Sequence, residues 1–310
     1  MLGIQDIGVH IPKLRSNNFD NKDKFSISDD FIENKLGVTH TSQMEVNQDS
    51  SDLCYEAYKD LRLSNSDFSP ENIDVITVCT QNPDYSLPHT SAIVHKMLKL
   101  PDDCAAFDIS LGCSGYVYGL AIIESFMKLS NFKNGLLFTA DPYSKIVDDN
   151  DKNTVLLFGD AATVTYISQN SIFTSGKFTF GTRGSGFEHL ICRDQKLHMN
   201  GREIFNFAAR TVPGDIQKVL ELNNIEIEDI DRFLLHQGSK FIIDFLIKRI
   251  GLEKEKTPYA IKNYGNTVSS SIPIMLKECI GDNSIKNILI SGFGVGLSWA
   301  SGILTRNINI

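Results

Sequence analysis

The chain has 310 residues, enough for two ordinary domains or one large one, and 42% hydrophobic against 22% charged residues describes a soluble globular protein with ample core. A net charge of −8 excludes a general nucleic-acid binder, which needs a basic face. No apolar run reaches the length of a membrane span, and Met1 to Pro12 has no basic region followed by an apolar one, so no signal peptide is read and a cytoplasmic protein is expected.

Taken in order, Met1 to Pro12 alternates apolar and small residues and predicts a strand. Asn17 to Gly37 predicts polar helix, with Ser28 or Asp29 as a cap and Gly37 as the stop. Ser50 to Leu63 and Ser91 to Leu100 predict helices on either side of a buried strand, Ile73 to Cys79. Cys104 to Ile109 predicts another strand, followed by a turn of small residues and a helical apolar series from Val117 to Met127. Asn134 to Ala140 is a strand, Lys145 to Asn153 a charged loop, and Leu156 to Ile167 a strand, a tight Gly159-Asp160 turn and a strand. Gly176 to Gly186 is glycine-rich, but its glycines do not stand between a clear strand and a clear helix, which excludes a phosphate loop. Glu203 to Leu222 predicts a helix interrupted near Pro213, Arg232 to Leu235 a strand, and Ser239 to Ile250 an amphipathic helix stopped by Gly251. Pro258 to Lys262 predicts a short strand, Thr267 to Ile280 a helix, and two strands around a glycine turn close the chain. Strands alternating with helices give an α/β layered fold. Each half launches a helix from a polar turn, at Cys113 and at Asn266, and closes with strand, glycine-containing turn and strand. The expected division is therefore 1–167 and 168–310.

The six cysteines are scattered without a C-x-x-C pair, so no zinc site or redox motif is indicated and no metal is expected. Cys113 stands out because it sits where a buried strand hands over to a helix, between Gly112 and Gly115. Unpartnered backbone N–H groups and the positive helix end favour thiolate there, which predicts a lowered pKa. A small buried cysteine in a tight turn is the alternative. His236 ends a strand and Asn266 follows a glycine in a turn; alone, each reads equally as structural.

Three stretches, Phe107 to Leu120 around Cys113, Phe233 to Ser239 around His236 and Asn263 to Pro273 around Asn266, resemble the active-site segments of the β-ketoacyl-acyl carrier protein synthase III family in the thiolase-like superfamily. Phe158 to Ala162, Met199 to Phe205 and Gly292 to Trp299 extend the resemblance over nearly the whole chain. It implies a duplicated five-layered α-β-α-β-α fold with mixed sheets. It also implies a cytoplasmic homodimer that needs no cofactor and takes acyl thioesters and acyl carrier protein as substrate and partner. The implied chemistry loads an acyl group on Cys113 and then condenses it with malonyl-carrier protein, releasing CO2. His236 and Asn266 would donate hydrogen bonds to the enolate, and the Cys113 and Val295 backbone N–H groups would form the second oxyanion site. Phe31, Lys152, Gly201 and Phe293 fall at substrate-binding places. Leu87 aligns with a position that reaches across the dimer into the partner's pocket. Lys240, Lys248 and Arg249, after His236, are candidates to meet an acidic carrier.

The sequence also departs from the family. Phe31 stands for a usual tryptophan, Lys35 and Lys152 stand near usual arginines, Phe241 replaces an arginine, Val295 replaces a loop glycine, and Gln237-Gly238-Ser239 replaces Gln-Ala-Asn. The same fold also supports acyl transfer to a hydroxyl or amine. A silent partner subunit would not need the intact Cys-His-Asn set, and no glutamate base suits a 3-hydroxy-3-methylglutaryl-CoA synthase-like reaction.

Overall fold

A computed structural model of the chain describes residues 1–65 and 68–307. Its strands are β1 (Gly3–His10), β2 (Leu14–Asn17), β3 (His40–Gln43), β4 (Val75–Cys79), β5 (Ala105–Ile109), β6 (Gly135–Ala140), β7 (Ala162–Ser168), β8 (Phe173–Thr182), β9 (Leu190–Arg193), β10 (Lys196–Met199), β11 (Arg232–Leu235), β12 (Asn287–Gly294) and β13 (Ser298–Arg306). The α-helices are α1 (Lys22–Phe25), α2 (Ser50–Ser64), α3 (Thr90–Leu98), α4 (Gly115–Ser130), α5 (Lys152–Val155), α6 (Gly201–Asn223), α7 (Lys240–Ile250) and α8 (Ser271–Ile280).

Nine strands form one mixed sheet in the order β11-β12-β13-β8-β1-β7-β6-β4-β5. β4 runs parallel to β5 and β6, whereas β7 is antiparallel to both β6 and β1. Beyond β1, the sheet continues through a single residue pair, Ile4 with Phe173, into β8, β13, β12 and β11. Period-two alternation sorts the side chains. Val75 of β4 and Leu137 of β6 face a central cluster that includes Tyr116, Val117 and Leu120 of α4 with Ile272, Met275 and Leu276 of α8. Their neighbours Ile76, Val78, Leu136 and Phe138 face α2 and α3. In the other part of the sheet Ile288 and Ile290 face the centre, while Leu289, Phe233 and Leu235 face α6 and α7. The layers are α2/α3, sheet, α4/α8, sheet, α6/α7, the five-layered arrangement expected.

Several local expectations are corrected. Asn17 to Gly37 is not one helix: Ser26 in the left-handed region ends α1, and a separate wide turn, Phe31–Leu36, follows. The Ser28 hydroxyl accepts the Phe31 N–H at 3.2 Å, and Gly37, at φ +79°, stops the turn. Residues 201–223 are one continuous helix despite Pro213, because Phe207, Val212, Ile216 and Val219 hold its apolar face in the core on both sides of the proline. Leu156–Phe158 and Pro258–Lys262 form no strand; a bridge from Phe158 to Asn266 is all that the first contributes. Thr267–Ile280 divides into a tight turn, Val268–Ser270, and α8.

Glu124, on α4, is half-buried and accepts a hydrogen bond from the Ser175 hydroxyl at 2.8 Å. Burial pushes its carboxyl up to about 7, with the Ser175 bond opposing. The folded state therefore holds a proton that the unfolded chain releases above about pH 4.3. Glu124's contribution is fully present below that value and is lost as pH rises through about 7. Glu124→Gln, which keeps the serine contact without the charge, is expected to stabilise the protein by about 2 kcal/mol at pH 8 and to leave pH 4 stability nearly unchanged. Urea unfolding at the two pH values measures the difference.

Candidate active site

Two strand ends and one loop carry the three polar residues to the same cavity. Cys113 follows β5 on the turn into α4, His236 follows β11, and Asn266 precedes the Val268–Ser270 turn into α8. All three line a cavity of about 490 Å³, yet they are only 4, 2 and 3% exposed. Phe31, Lys35, Lys152, Gly201, Phe205, Phe241 and Phe293 complete much of its wall, so four of the predicted binding positions (Phe31, Lys152, Gly201 and Phe293) share the space. Leu87 does not: it is 86% exposed on the loop between β4 and α3. Lys240, Lys248 and Arg249 lie on α7 outside the wall.

The Asn266 loop is held from the distant segment before β7. Asn266 N–H donates to the Leu157 carbonyl at 2.8 Å, and Gly159 N–H donates to the Asn266 carbonyl at 3.0 Å. Those bonds explain why Leu156–Phe158 makes no strand: its peptide groups serve the loop. Asn266 Oδ1 accepts the Val268 N–H at 2.9 Å. That bond uses the amide oxygen and leaves the NH2 group as the free donor of the side chain. Val268 itself has φ +53°, a strained region for a β-branched residue. The strain sits where the loop must shape two catalytic candidates at once.

His236 Nδ1 lies 2.9 Å from the Ser271 hydroxyl, whose oxygen is 3.1 Å from the Val268 carbonyl. The hydroxyl has one hydrogen. Turned to the ring it leaves the proton on Nε2; turned to the carbonyl it accepts from Nδ1–H and leaves Nε2 bare. Ser271 therefore selects the tautomer. Burial, with the Phe293 ring edge-on at 5.7 Å between centroids, lowers the imidazole to about 3, with a backbone bond to Val268 opposing. The ring is neutral at physiological pH.

The lowered Cys113 pKa expected from the helix start is not found. Burial pushes the thiol up to about 12; the Val295 backbone N–H opposes this, and the Asp141 carboxylate adds to it. The unpartnered N–H groups at the start of α4 do not offset the loss of water around the sulfur. The Val295 and Cys113 backbone groups both bond the sulfur, which puts the two expected oxyanion donors beside it. The approach is close: a Cβ at Gly294 would lie 2.6 Å from Cys113 Sγ, so only glycine fits there.

Sequence reasoning missed Val268, Ser271 and Asp141. Asp141, buried after β6, accepts the Gln81 N–H at 2.7 Å and the Ser269 hydroxyl at 2.5 Å. It thereby ties the end of one strand to the Asn266 loop. Burial raises it to about 6 against those bonds. The serine run 269–271 was the available signal, since three consecutive serines at a helix start offer more hydroxyls than capping needs. Among the described residues no three His, Cys, Asp or Glu side chains cluster as metal ligands, and no helix is long and apolar enough to cross a membrane.

The model of 3-oxoacyl-[acyl-carrier-protein (ACP)] synthase III matches residues 107–184, and that of the same protein's C-terminal part matches residues 220–306. The chain is 32% identical over 321 aligned residues to a beta-ketoacyl-[acyl-carrier-protein] synthase III of Lactococcus lactis, covering 97% of this chain and 98% of the relative. It is 34% identical over 307 residues to a Bacillus cereus protein of that description, covering 97% of each. A crystal structure of a β-ketoacyl-[acyl carrier protein] synthase III from Thermus thermophilus matches with a TM-score of 0.91 at 30% identity, covering 98% of this chain and 99% of the other. The fold is thus the thiolase-like one, and with matches over nearly its full length the chain belongs to the β-ketoacyl-[acyl-carrier-protein] synthase III family of condensing enzymes.

Proposed function

We propose that the chain loads an acyl group from a thioester onto Cys113 and condenses it with malonyl-carrier protein, giving a 3-oxoacyl thioester and CO2. The observation that carries the reading is the Asn266 side chain. Its oxygen is used by Val268 N–H, so its NH2 is free to donate in a cavity that Cys113 and His236 also line. In the first half, Cys113 Sγ attacks the donor carbonyl while Nε2 of His236, in its bare tautomer, takes the thiol proton and passes it to the leaving thiolate. The Cys113 and Val295 N–H groups bind the oxyanion. In the second half, loss of CO2 from the malonyl group leaves an enolate. Asn266 NH2 and His236 Nε2–H, in the other tautomer, stabilise its oxygen, and the enolate carbon displaces Cys113 from the acyl group. The displaced thiolate takes a proton from solvent to restore the thiol, so each condensation consumes one proton along with the CO2 it releases. Neither donor adds net charge beside the departing CO2.

The enzyme is proposed to be cytoplasmic, without a cofactor, with 1–167 supplying Cys113 and 168–310 supplying His236 and Asn266. The homodimer is supported by β5, which among the described residues pairs with β4 alone at the end of the sheet, and by Ile122, Phe126 and Leu129 exposed on the neighbouring α4. A second copy laid along that edge would bring the exposed Leu87 loops towards each other's cavities.

The mouth supports a carrier-bound donor. Lys152 Nζ stands 5.6 Å from the Phe31 ring centroid, a cation–π pair on the wall where relatives place tryptophan and arginine. Phenylalanine offers a nucleobase less area and lysine offers phosphate no bidentate fork. Lys240, ion-paired with Asp244, lies at the start of α7, and exposed Lys248 and Arg249 lie in its last turn. Together they can meet an acidic carrier. With malonyl-carrier protein as extender, release of CO2 and growth of the 3-oxoacyl product are expected from acyl-carrier protein. Charge reversal of the three residues is expected to raise KM for carrier substrates by roughly tenfold, about 1.4 kcal/mol, and to leave loading from acyl-CoA nearly unchanged. No CO2 from any acyl donor would refute condensation; efficient loading by low-micromolar acyl-CoA with inert carrier substrates would refute the donor assignment.

A further inference from the structure

The thiol of Cys113 stands at a partition between two chambers. The first is the cavity of about 490 Å³ already described, which Cys113 and Gly294 line. The second, of about 670 Å³, is lined by Ser110, Gln81, Tyr143, Cys192 and Val295. Leu190 belongs to both walls. Val295 carries the partition at the sulfur itself: its backbone N–H bonds Cys113 Sγ, and its side chain packs in the cluster of Cys113, Tyr143, Phe158, Leu190 and Val268. The isopropyl group also leaves its mark on the sequence. A Cβ at Gly112, the residue before the nucleophile, would stand 2.6 Å from Val295 Cγ1 and 2.5 Å from Gln81 Oε1. The glutamine end can swing away; the branched valine, held in the cluster, cannot. Gly112 and Val295 are thus one fitted pair, with the volume surrendered at 112 taken up at 295.

We propose that the Gly112–Val295 pair sets the length of acyl group that Cys113 accepts, Val295 acting as a stop that keeps the acyl chain out of the second chamber and restricts loading to short chains. The inference rests on the acyl-enzyme reading above. An apolar wall discriminates steeply, since one methylene in a hydrophobic pocket is worth about 10–200-fold. Removing the isopropyl group connects the two spaces without touching the backbone donor.

The test is intact-mass loading of the wild-type protein, Val295→Ala and Val295→Gly with acetyl-, butyryl-, hexanoyl- and octanoyl-CoA at saturating concentration, with peptide mapping of the modified cysteine. The wild type is expected to load acetyl and butyryl and to fall off steeply beyond. The ratio of octanoyl to acetyl loading should rise on the order of tenfold or more in Val295→Gly, with Val295→Ala between. Gly112→Ala alone should impair loading of every donor, and Val295→Gly in the same chain should restore it in part, a coupling that independent sites would not give. A chain-length profile unchanged in both Val295 variants, or Gly112→Ala effects that simply add to those of Val295→Gly, would overturn the stop while leaving the acyl-enzyme intact. No acyl mass on wild-type Cys113 from any donor would overturn the acyl-enzyme reading and the stop with it.

Discussion

Cys113→Ala is expected to abolish acyl-enzyme formation, a loss on the order of 10⁴-fold or more in turnover, because the nucleophile has no substitute in the cavity. Cys54, Cys79, Cys104 and Cys279 are buried elsewhere, and Cys192, the exposed one, lines the second chamber. Intact mass after incubation with acyl thioester reads the outcome directly; acyl mass persisting on the variant, mapped to Cys192, would overturn the assignment. The variant should still fold, since it removes one small side chain. Forming a free thiolate at pH 7 from a thiol at about 12 costs about 7 kcal/mol, at ~1.4 kcal/mol per unit. That cost argues that the proton leaves as the bond forms. Loading by the wild type should therefore stay nearly level from about pH 5 through the mildly alkaline range, because a neutral His236 takes the proton from a thiol that does not titrate there, and should show no step near neutrality as it would for a thiol titrating there.

His236→Ala and Asn266→Ala are each expected to lose about 10²–10³-fold in release of CO2 from malonyl thioester, the usual cost of one oxyanion donor. The two should differ in the first half-reaction. Asn266→Ala keeps loading on Cys113, because nothing in loading requires its amide. His236→Ala slows loading as well, and by less the more readily solvent takes the thiol proton in its place. Single-turnover measurements with radiolabelled acyl and malonyl groups separate the steps. Loading lost to the same extent as decarboxylation in His236→Ala would assign the histidine to Cys113 as its base alone. Equal loss of loading in Asn266→Ala would remove the amide from the enolate.

Much of this site was legible in the sequence because its parts sit at element boundaries with strong local signals. Arg232–Leu235 ends in the apolar run Phe233-Leu234-Leu235, too short for a helix and bounded by polar residues, so His236 at its end was well placed. Cys113 was found between two glycines that each allow a close approach. What stayed hidden depends on partners far along the chain. Leu156–Phe158 has a strand's composition, but its peptide groups are claimed by the Asn266 loop, and no local pattern announces that. Pro213 is a helix breaker locally and is overruled by the core beneath α6. The Cys113 pKa went the wrong way for the same reason: the helix start is a local feature, and the burial that outweighs it comes from the loops that close over the sulfur. Ser271 could not be singled out from two adjacent serines until its distance to the imidazole was known.

The clamp between Leu157–Gly159 and Asn266 has a consequence for how the protein comes into being. The bonds that hold the reactive geometry join residues more than a hundred positions apart in the chain: Asp141 to Ser269, Thr139 to Ser270, and Asn18 to the Leu156 carbonyl. Such closures are entropically costly and follow the local structure they join. Helices and hairpins on either side can form while the amide of Asn266 is still unaimed and the imidazole has no serine to set its proton. Catalytic competence is then the last property the chain acquires as it folds and the first it gives up under mild denaturation, well before its helices melt.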